Sequence, residues 1–303
     1  MKKVQLGNSD LTVSEIGLGC MSLGTNEKKA QEIIEAALEE GINYFDTADL
    51  YDFGENEKIV GQALKNVRDD IIIATKVGNR WNESKDGWSW DPSKDYIKEA
   101  VKQSLHRLQT DYIDLYQLHG GTIDDPIDET IQAFEELKTE GLIRHYGISS
   151  IRPNVIREYT KESNIVTVMM QYSMLDRRPE EAALPLLEQN GISAVTRGSV
   201  AKGLLSDQFR NKLSEKGFLD YTQEELKDIL PLLKEKLASS RSLEEVALQY
   251  NLAHPAVASV VTGASSVEQV RANARAVNQQ SLSREEVALI QKLTKANQYS
   301  DHR

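Results

Sequence analysis

One pattern recurs along the chain and limits its fold: a charged amphipathic helix, a glycine, and a short strand rich in β-branched residues. Its clearest copies are EAALEEGINYFD, FEELKTEGLIRHYGIS and LPLLEQNGISAVT. Gly41, Gly141 and Gly191 follow the helices, at the position where a left-handed residue commonly ends a helix. The strands after them are almost continuously apolar, as expected for a parallel sheet buried on both faces. The pattern therefore predicts an α/β fold with a parallel sheet.

The same alternation fills the chain between these copies. Runs that we interpret as strands lie at 16–19, 42–46, 71–75, 113–118, 144–148, 166–171, 192–196 and 257–261. Helical patterns separate them, for example PSKDYIKEAVKQSLHRLQ with Ser93 as its N-cap. Eight strands alternating with helices predict a single (β/α)8 TIM barrel over residues 1–303.

An open, doubly wound sheet is the alternative architecture. Such a sheet usually carries a G-x-G-x-x-G phosphate turn after its first strand. The corresponding stretch here is GLGCMSLG, and its glycines are Gly17, Gly19 and Gly24. The third glycine comes too late for that turn, so we favour the closed barrel.

Three segments lie outside the barrel pattern. Residues 1–15 contain KVQLGNSDLTVS, which predicts a hairpin that caps the N-terminal mouth of the barrel. Residues 279–303 predict a C-terminal helix and a polar tail, TKANQYSDHR, that frays. Residues 78–93 hold Trp81, Trp88 and Trp90, the three tryptophans of the chain, and predict a folded lid.

Charge and cysteine content limit the partners and the cellular compartment that we expect for this protein. A formal charge of −11 opposes long-range attraction to nucleic acid or to an anionic membrane. Cys20 is the only cysteine, which excludes an internal disulfide and fits a reducing cytoplasm. The chain has no secretory h-region and no run of about 18 apolar residues, so we expect no membrane span and a cytoplasmic protein. Without a sustained heptad, we expect a monomer or a weak oligomer.

Ionisable residues end three consecutive predicted strands: Asp46, Lys76 and His119. In a barrel these strand ends meet at one mouth, where the active sites of such enzymes lie. Tyr51 follows the second strand closely enough to reach the same place. Each residue alone is typical of a turn, a solvated surface or ordinary packing, but together they predict a catalytic site.

The four side chains suit proton transfer to an oxygen. A lysine cation beside the Tyr51 phenol favours release of its proton, and Asp46 keeps Lys76 charged and oriented. His119 adds a second hydrogen bond to the same oxygen. The set lacks a Ser or Cys nucleophile and a cluster of metal ligands, so we expect no metal. Carbonyl reduction fits this chemistry, and the hydride must then come from a cofactor.

The residues resemble those of the aldo-keto reductase family, in its bacterial NADPH-dependent members related to potassium-channel β-subunits. The resemblance runs from GLGCMSLG through GINYFDTADLYDFGENEKIVG, ATKVG, DYIDLYQLH, GISS, QYS and RGSVAKGLL to VVTGASSVEQVRAN. It implies a (β/α)8 barrel, NADP as cofactor, a small carbonyl substrate, and a tetrad of Asp46, Tyr51, Lys76 and His119. Tyr51 and His119 are the substrate contacts that it implies. Trp81, the lid tryptophan nearest to the third predicted strand, is our candidate for an apolar wall above the substrate carbonyl.

The resemblance also implies residues for the cofactor. Around the nicotinamide these are Gly19, Cys20, Met21, Asp46, Ser149, Ser150 (where the family commonly has Asn), Gln171 and Arg197, the last in place of a stacking aromatic residue. Along the pyrophosphate they are Gly198, Ser199, Val200, Ala201, Lys202 and Gly203. Around the adenosine they are Gly263, Ser265, Gln269 and Asn273. Arg271 or Arg275 can assist with a 2′-phosphate if it turns inward.

Three functions remain open at this point. The first is NADPH-dependent reduction of aldehydes or ketones. The second is an NADP-binding redox sensor with slow turnover. The third is a cofactor-free barrel enzyme, an isomerase or lyase that uses Lys76 for proton or imine chemistry.

Overall fold

Twelve strands are present in the computed structural model, which describes all 303 residues. They are β1 (Lys3–Gln5), β2 (Thr12–Ser14), β3 (Ile16–Gly19), β4 (Tyr44–Asp46), β5 (Ile72–Val77), β6 (Asn79–Trp81), β7 (Trp88–Trp90), β8 (Ile113–Leu118), β9 (Ile143–Ser149), β10 (Thr167–Gln171), β11 (Ser193–Arg197) and β12 (Val257–Gly263). Eight of them, β3, β4, β5 and β8 to β12, form a closed parallel barrel. The ring closes where β12 pairs with β3, with Val260 opposite Ile16. The predicted TIM barrel is confirmed, and the open-sheet alternative is wrong.

Helices connect the barrel strands and cover the outside of the barrel. They are α1 (Glu27–Glu39), α2 (Glu55–Leu64), α3 (Lys94–Leu108), α4 (Ile127–Thr139), α5 (Pro153–Glu162), α6 (Ala183–Gln189), α7 (Gln223–Leu237), α8 (Leu243–Leu252), α9 (Val267–Val277) and α10 (Arg284–Leu293). The glycines after α1, α4 and α6 have φ angles of 81°, 76° and 65°, in the left-handed region. Ser93 caps α3 by accepting a hydrogen bond from the Tyr96 amide. None of these helices is both long enough and apolar enough to cross a bilayer.

The N-terminal hairpin of β1 and β2 closes the bottom of the barrel. Leu6, Leu11 and Val13 are fully buried and pack against side chains of the barrel interior, including Tyr44 and Leu115. Burying apolar surface in this way stabilises the closed end of the barrel. The opposite mouth is left for function.

A second hairpin, β6 and β7, forms within the segment that holds the tryptophans. Trp81 pairs with Trp88 across it, and Asn79 pairs with Trp90. The Trp90 indole donates to both oxygens of Asp125, at 3.0 and 3.1 Å, and so seats the hairpin against the loop after β8. The segment is therefore ordered by strand pairing and by this contact.

The C-terminal tail is packed against the barrel, and the expectation that it frays is wrong. Asn297 is buried; its side-chain oxygen accepts from the Arg177 amide at 2.7 Å, and its amide donates to the Leu175 carbonyl at 3.2 Å. The Tyr299 ring is also buried and lies over the Arg178 guanidinium at 4.7 Å. Side chains that satisfy loop backbone groups hold down a segment that is polar in composition.

Candidate active site

Three adjacent barrel strands bring the predicted tetrad together. Asp46 is the last residue of β4, and Lys76 lies near the end of β5, which pairs with β4 and β8. His119 directly follows β8, and its amide donates to the Val77 carbonyl at 2.7 Å. Parallel strands place their carboxyl ends at one mouth, so the three side chains become neighbours.

The Lys76 ammonium is the centre of the site. It donates to Asp46 Oδ1 at 2.6 Å, to the Thr47 carbonyl at 2.7 Å and to the Tyr51 hydroxyl at 3.3 Å. An ammonium has three N–H donors, so every one has a partner. Tyr51 is the partner with a proton of its own to transfer.

Burial and charge act against each other in the Lys76–Asp46 pair. Burial opposes the charged form of Lys76, but Asp46 and Tyr51 outweigh it and raise the pKa of Lys76. Burial raises the pKa of Asp46, and the Lys76 ammonium offsets part of that rise. Gln117 donates to the second carboxylate oxygen at 3.4 Å and offsets a further part. We conclude that Lys76 is a cation at neutral pH.

His119 is neutral in this environment. Burial lowers its pKa to about 3, and the charges of Lys76 and Arg197 act in the same direction. Its Nδ1 atom is buried without a hydrogen-bond partner. The imidazole meets the Tyr51 ring edge-on, with 5.9 Å between ring centroids. An uncharged imidazole next to the phenol can hydrogen-bond a carbonyl oxygen without adding a second cation.

Thr47, Gln117 and Asn56 also hold the tetrad, and sequence reasoning missed them. Asn56 is fully buried; it accepts from the Thr47 hydroxyl at 2.7 Å and donates to the Cys20 carbonyl at 2.8 Å. Gln117 was detectable as the amide in the otherwise apolar end of IDLYQL. Thr47 acts through its backbone carbonyl, for which side-chain chemistry offers no signal.

A cavity of about 450 Å³ opens at this mouth. Ten of its lining residues were predicted: Gly19, Met21, Asp46, Tyr51, Lys76, His119, Ser149, Arg197, Gly198 and Gly263. Four were not: Ser22, Leu50, Met169 and Val261. Its volume lies in the range of small-molecule sites.

Four residues predicted for the nicotinamide or the substrate lie outside this lining: Cys20, Ser150, Gln171 and Trp81. The Cys20 thiol points into the core and donates to the Leu18 carbonyl, and burial raises its pKa. Ser150 is buried, with its hydroxyl accepting from the Arg152 amide. The Trp81 ring stacks on Phe53, so its substrate contact stays a prediction.

A second groove, of about 340 Å³, also has Gly198 in its lining. Three residues predicted for the cofactor, Gln171, Ala201 and Lys202, line it, together with Lys212 and Lys216, which sequence reasoning missed. Three lysines in the lining of one groove, whose Asp176 carboxylate is already paired with Arg178, suit an anion such as a pyrophosphate. Of the remaining loop residues, Ser199 is buried and donates to Asn251, while Val200 and Gly203 shape the turn through a 2.8 Å backbone hydrogen bond.

The predicted adenosine residues cluster after β12. The Ser265 amide and hydroxyl both donate to the Gln269 side-chain oxygen, at 2.7 and 3.2 Å, and Asn273 donates to Thr262. Arg271 does not turn inward, because its guanidinium pairs with Glu39 of α1 at 3.1 Å. Arg275, the other arginine considered for this phosphate, is exposed and has no salt-bridge partner.

The chain matches a known protein family over most of its length. The sequence profile described as "Aldo/keto reductase family" matches residues 15–295. This chain belongs to that family. The chain is 61% identical to "Uncharacterized oxidoreductase YqkF" of Bacillus subtilis (strain 168), with all of both chains covered. It is 33% identical to "NADH-specific methylglyoxal reductase" of Escherichia coli (strain K12), covering 92% of this chain and 94% of the relative.

A solved structure of the family has the same fold throughout. The holo form of aldo-keto reductase AKR11C1 from Bacillus halodurans superposes with a TM-score of 0.95 at 64% identity, covering 100% of this chain and 99% of the other. Aldo-keto reductases are oxidoreductases that use nicotinamide cofactors. Membership in the family removes the basis for the cofactor-free isomerase or lyase.

Proposed function

We propose that this aldo-keto reductase reduces aldehydes or ketones to alcohols, with NADPH as hydride donor and Tyr51 as proton donor. The observation that carries the proposal is the 3.3 Å contact between Lys76 Nζ and the Tyr51 hydroxyl at the rim of a substrate-sized cavity. Such an arrangement provides a proton where negative charge develops on a carbonyl oxygen.

Each member of the tetrad has a distinct task in this proposal. Tyr51 donates its hydroxyl proton to the carbonyl oxygen, and the Lys76 cation stabilises the phenolate that remains. Asp46 keeps Lys76 charged and oriented through the 2.6 Å ion pair. Neutral His119 hydrogen-bonds the carbonyl oxygen and helps to orient the substrate.

The residues present fit a dinucleotide cofactor, which supplies the hydride when it is bound. The carboxamide of a nicotinamide would be held by Ser149 and Gln171, and Arg197 offers a planar group for stacking on the ring. The groove with Lys202, Lys212 and Lys216 suits the pyrophosphate in a protein whose net charge is −11. Local cations of this kind are needed to hold an anion against the overall negative charge.

The preference for NADPH over NADH depends on the groups that would hold its 2′-phosphate. The 11-residue helix α9 begins beside the Ser265 and Ser266 hydroxyls, and its free amide groups favour a phosphate. Arg271 pairs with Glu39, so the 2′-phosphate would depend on these groups, on Gln269 and on the exposed Arg275. The relative from Escherichia coli is named as NADH-specific, which makes a direct comparison of the two cofactors essential.

One titration tests cofactor use and preference together. Tryptophan fluorescence is followed as NADPH is added and then as NADH is added, and we expect tighter binding of NADPH. Stopped-flow oxidation of the bound NADPH by methylglyoxal and by nitrobenzaldehyde then tests the reaction. Tight binding without oxidation would favour the redox sensor, and equal affinity for both cofactors would contradict the preference.

A further inference from the structure

The chain takes a strained turn directly after Tyr51. Asp52, Phe53 and Gly54 have φ angles of 48°, 51° and 83°, so three consecutive residues are left-handed. Glycine adopts this region freely, but a bulky residue such as Phe53 rarely does. Strain of this kind persists only where neighbouring groups hold it in place. The turn that presents the Tyr51 hydroxyl therefore needs support from elsewhere in the fold.

Trp81 provides that support from the hairpin. Its indole stacks on the Phe53 ring with 5.7 Å between centroids and 24° between planes. It also covers Gly54 so closely that an added Cβ there would lie 2.5 Å from Trp81 Cη2. One side chain thus contacts two of the three left-handed residues.

The position of Trp81 is itself tied to Lys76. Trp81 follows Lys76 by five residues and ends β6, which only Gly78 separates from β5. The Arg107 guanidinium lies 5.5 Å from the indole and donates to Glu57 at 2.7 Å. Glu57 accepts in turn from the hydroxyl of Thr75, the neighbour of Lys76, at 2.6 Å. The tyrosine turn and the lysine strand are therefore braced by one connected set of contacts.

We propose that Trp81 is a positioning residue, which clamps the left-handed turn so that the Tyr51 hydroxyl stays beside the Lys76 ammonium. This inference rests on the proposed function, in which Tyr51 is the proton donor. Trp81 does not line the 450 Å³ cavity, so it acts through Phe53 and Gly54. The role differs from the apolar substrate wall that the sequence suggested.

Kinetics of matched variants separate the two roles. Trp81→Ala should lower kcat by about ten- to a hundredfold for small and large carbonyl substrates alike, because misplacing a reacting group by about 1 Å has an effect of this size. KM and NADPH affinity should stay near wild type, and Trp81→Phe should keep the stacking and most of the activity. Trp88→Ala is the control, since Trp88 pairs with Trp81 across the hairpin but is 57% exposed. A loss confined to KM and growing with substrate size would overturn the proposal.

A second substitution tests strain as the cause. Asparagine tolerates the left-handed region better than phenylalanine does. Phe53→Asn placed in the Trp81→Ala background should therefore recover part of the lost kcat. No recovery would contradict strain as the reason that the turn needs the indole.

Hydrogen exchange tests the clamp without any activity. The Tyr51 amide donates to the Ala48 carbonyl at 3.2 Å, and the Phe53 amide donates to the Leu50 carbonyl at 3.1 Å. Both amides should exchange at least about tenfold faster in Trp81→Ala than in wild type or in Trp88→Ala, because the turn then opens locally. Unchanged exchange would refute the clamp, whereas faster exchange in a protein that reduces no carbonyl would refute the proposed function alone.

Discussion

The Lys76 ammonium lies 2.6 Å from the Asp46 carboxylate, and the two side chains are only 1% and 5% exposed. Removing two charges from water is costly, and their attraction repays that cost only when each is well hydrogen-bonded. Here Thr47, Tyr51 and Gln117 complete the hydrogen bonding. The pair therefore couples the stability of the barrel mouth to the chemistry proposed for it.

Replacing one partner of this ion pair should destabilise the protein more than replacing both. We expect Asp46→Asn to lower the free energy of unfolding by about 3 kcal/mol, since it leaves the Lys76 charge buried without its counter-ion. The double variant Asp46→Asn with Lys76→Met should regain part of that loss. Urea denaturation measures both. Glu55→Gln, which breaks the exposed pair with Lys58, is the control and should change little.

Tyr51→Phe should remove most carbonyl reduction and leave NADPH affinity nearly intact. The phenol supplies the proton, and general-acid catalysis typically contributes about 10²- to 10⁴-fold to the rate. Single-turnover oxidation of NADPH measures the loss, with Tyr112→Phe, at a partly exposed tyrosine away from the cavity, as control. Wild-type turnover in Tyr51→Phe would mean that another group donates the proton.

His119 should make the protein less stable in mild acid. Its pKa is about 3 in the folded protein against 6.5 for an ordinary histidine, so between these values the unfolded chain binds more protons. The free energy of unfolding should thus fall as the pH drops from 6.5 toward 3. Between pH 6.5 and pH 4.5 wild type should lose about 2 kcal/mol more than His119→Gln. Urea denaturation at the two pH values measures this. If wild type and His119→Gln lost the same free energy of unfolding, His119 would not be held neutral.

The buried tail should matter for the cofactor groove as well as for stability. Asn297→Ala leaves the Arg177 amide and the Leu175 carbonyl without partners, which should cost about 1–3 kcal/mol in unfolding experiments. It should also weaken NADPH binding, because Arg178 next to this anchor donates to Gln171 at 3.5 Å. Ser300→Ala is the control, since Ser300 is exposed and bonds only its neighbour Asp301. If Asn297→Ala bound NADPH as tightly as wild type, the tail would not contribute to cofactor binding.

Local pattern was sufficient to predict the barrel. The spacing of apolar residues, the position of glycines after helices and the length of the strands are all properties of short segments. Each of the eight predicted apolar runs therefore overlaps an observed barrel strand. The ends of these strands converge by topology alone, which is why Asp46, Lys76 and His119 could be grouped before any coordinates. Tyr51 could be added to this group because it is only the fifth residue after Asp46.

Contacts between distant segments were beyond local reasoning. The tail is polar in composition, yet Asn297 is buried because a loop 120 residues earlier offers it backbone partners. The stacking of the Trp81 ring on Phe53 could not be predicted either, because it depends on where the hairpin lies relative to the loop after β4. From the sequence, Arg271 could have faced the cofactor. In the structure its guanidinium pairs with Glu39 on a neighbouring helix.

The sequence by itself determined the architecture and the chemical identity of the tetrad, because hydrophobic periodicity and side-chain type are written residue by residue. Only the tertiary structure decided which other groups hold that tetrad: the Thr47 backbone carbonyl, the Gln117 amide and, through Thr47, Asn56, with the Trp81 indole as the proposed support of the Tyr51 turn. The physical reason is that a hydrogen bond or a ring contact depends on the direction of a side chain in space, and that direction follows from packing between segments far apart in the chain.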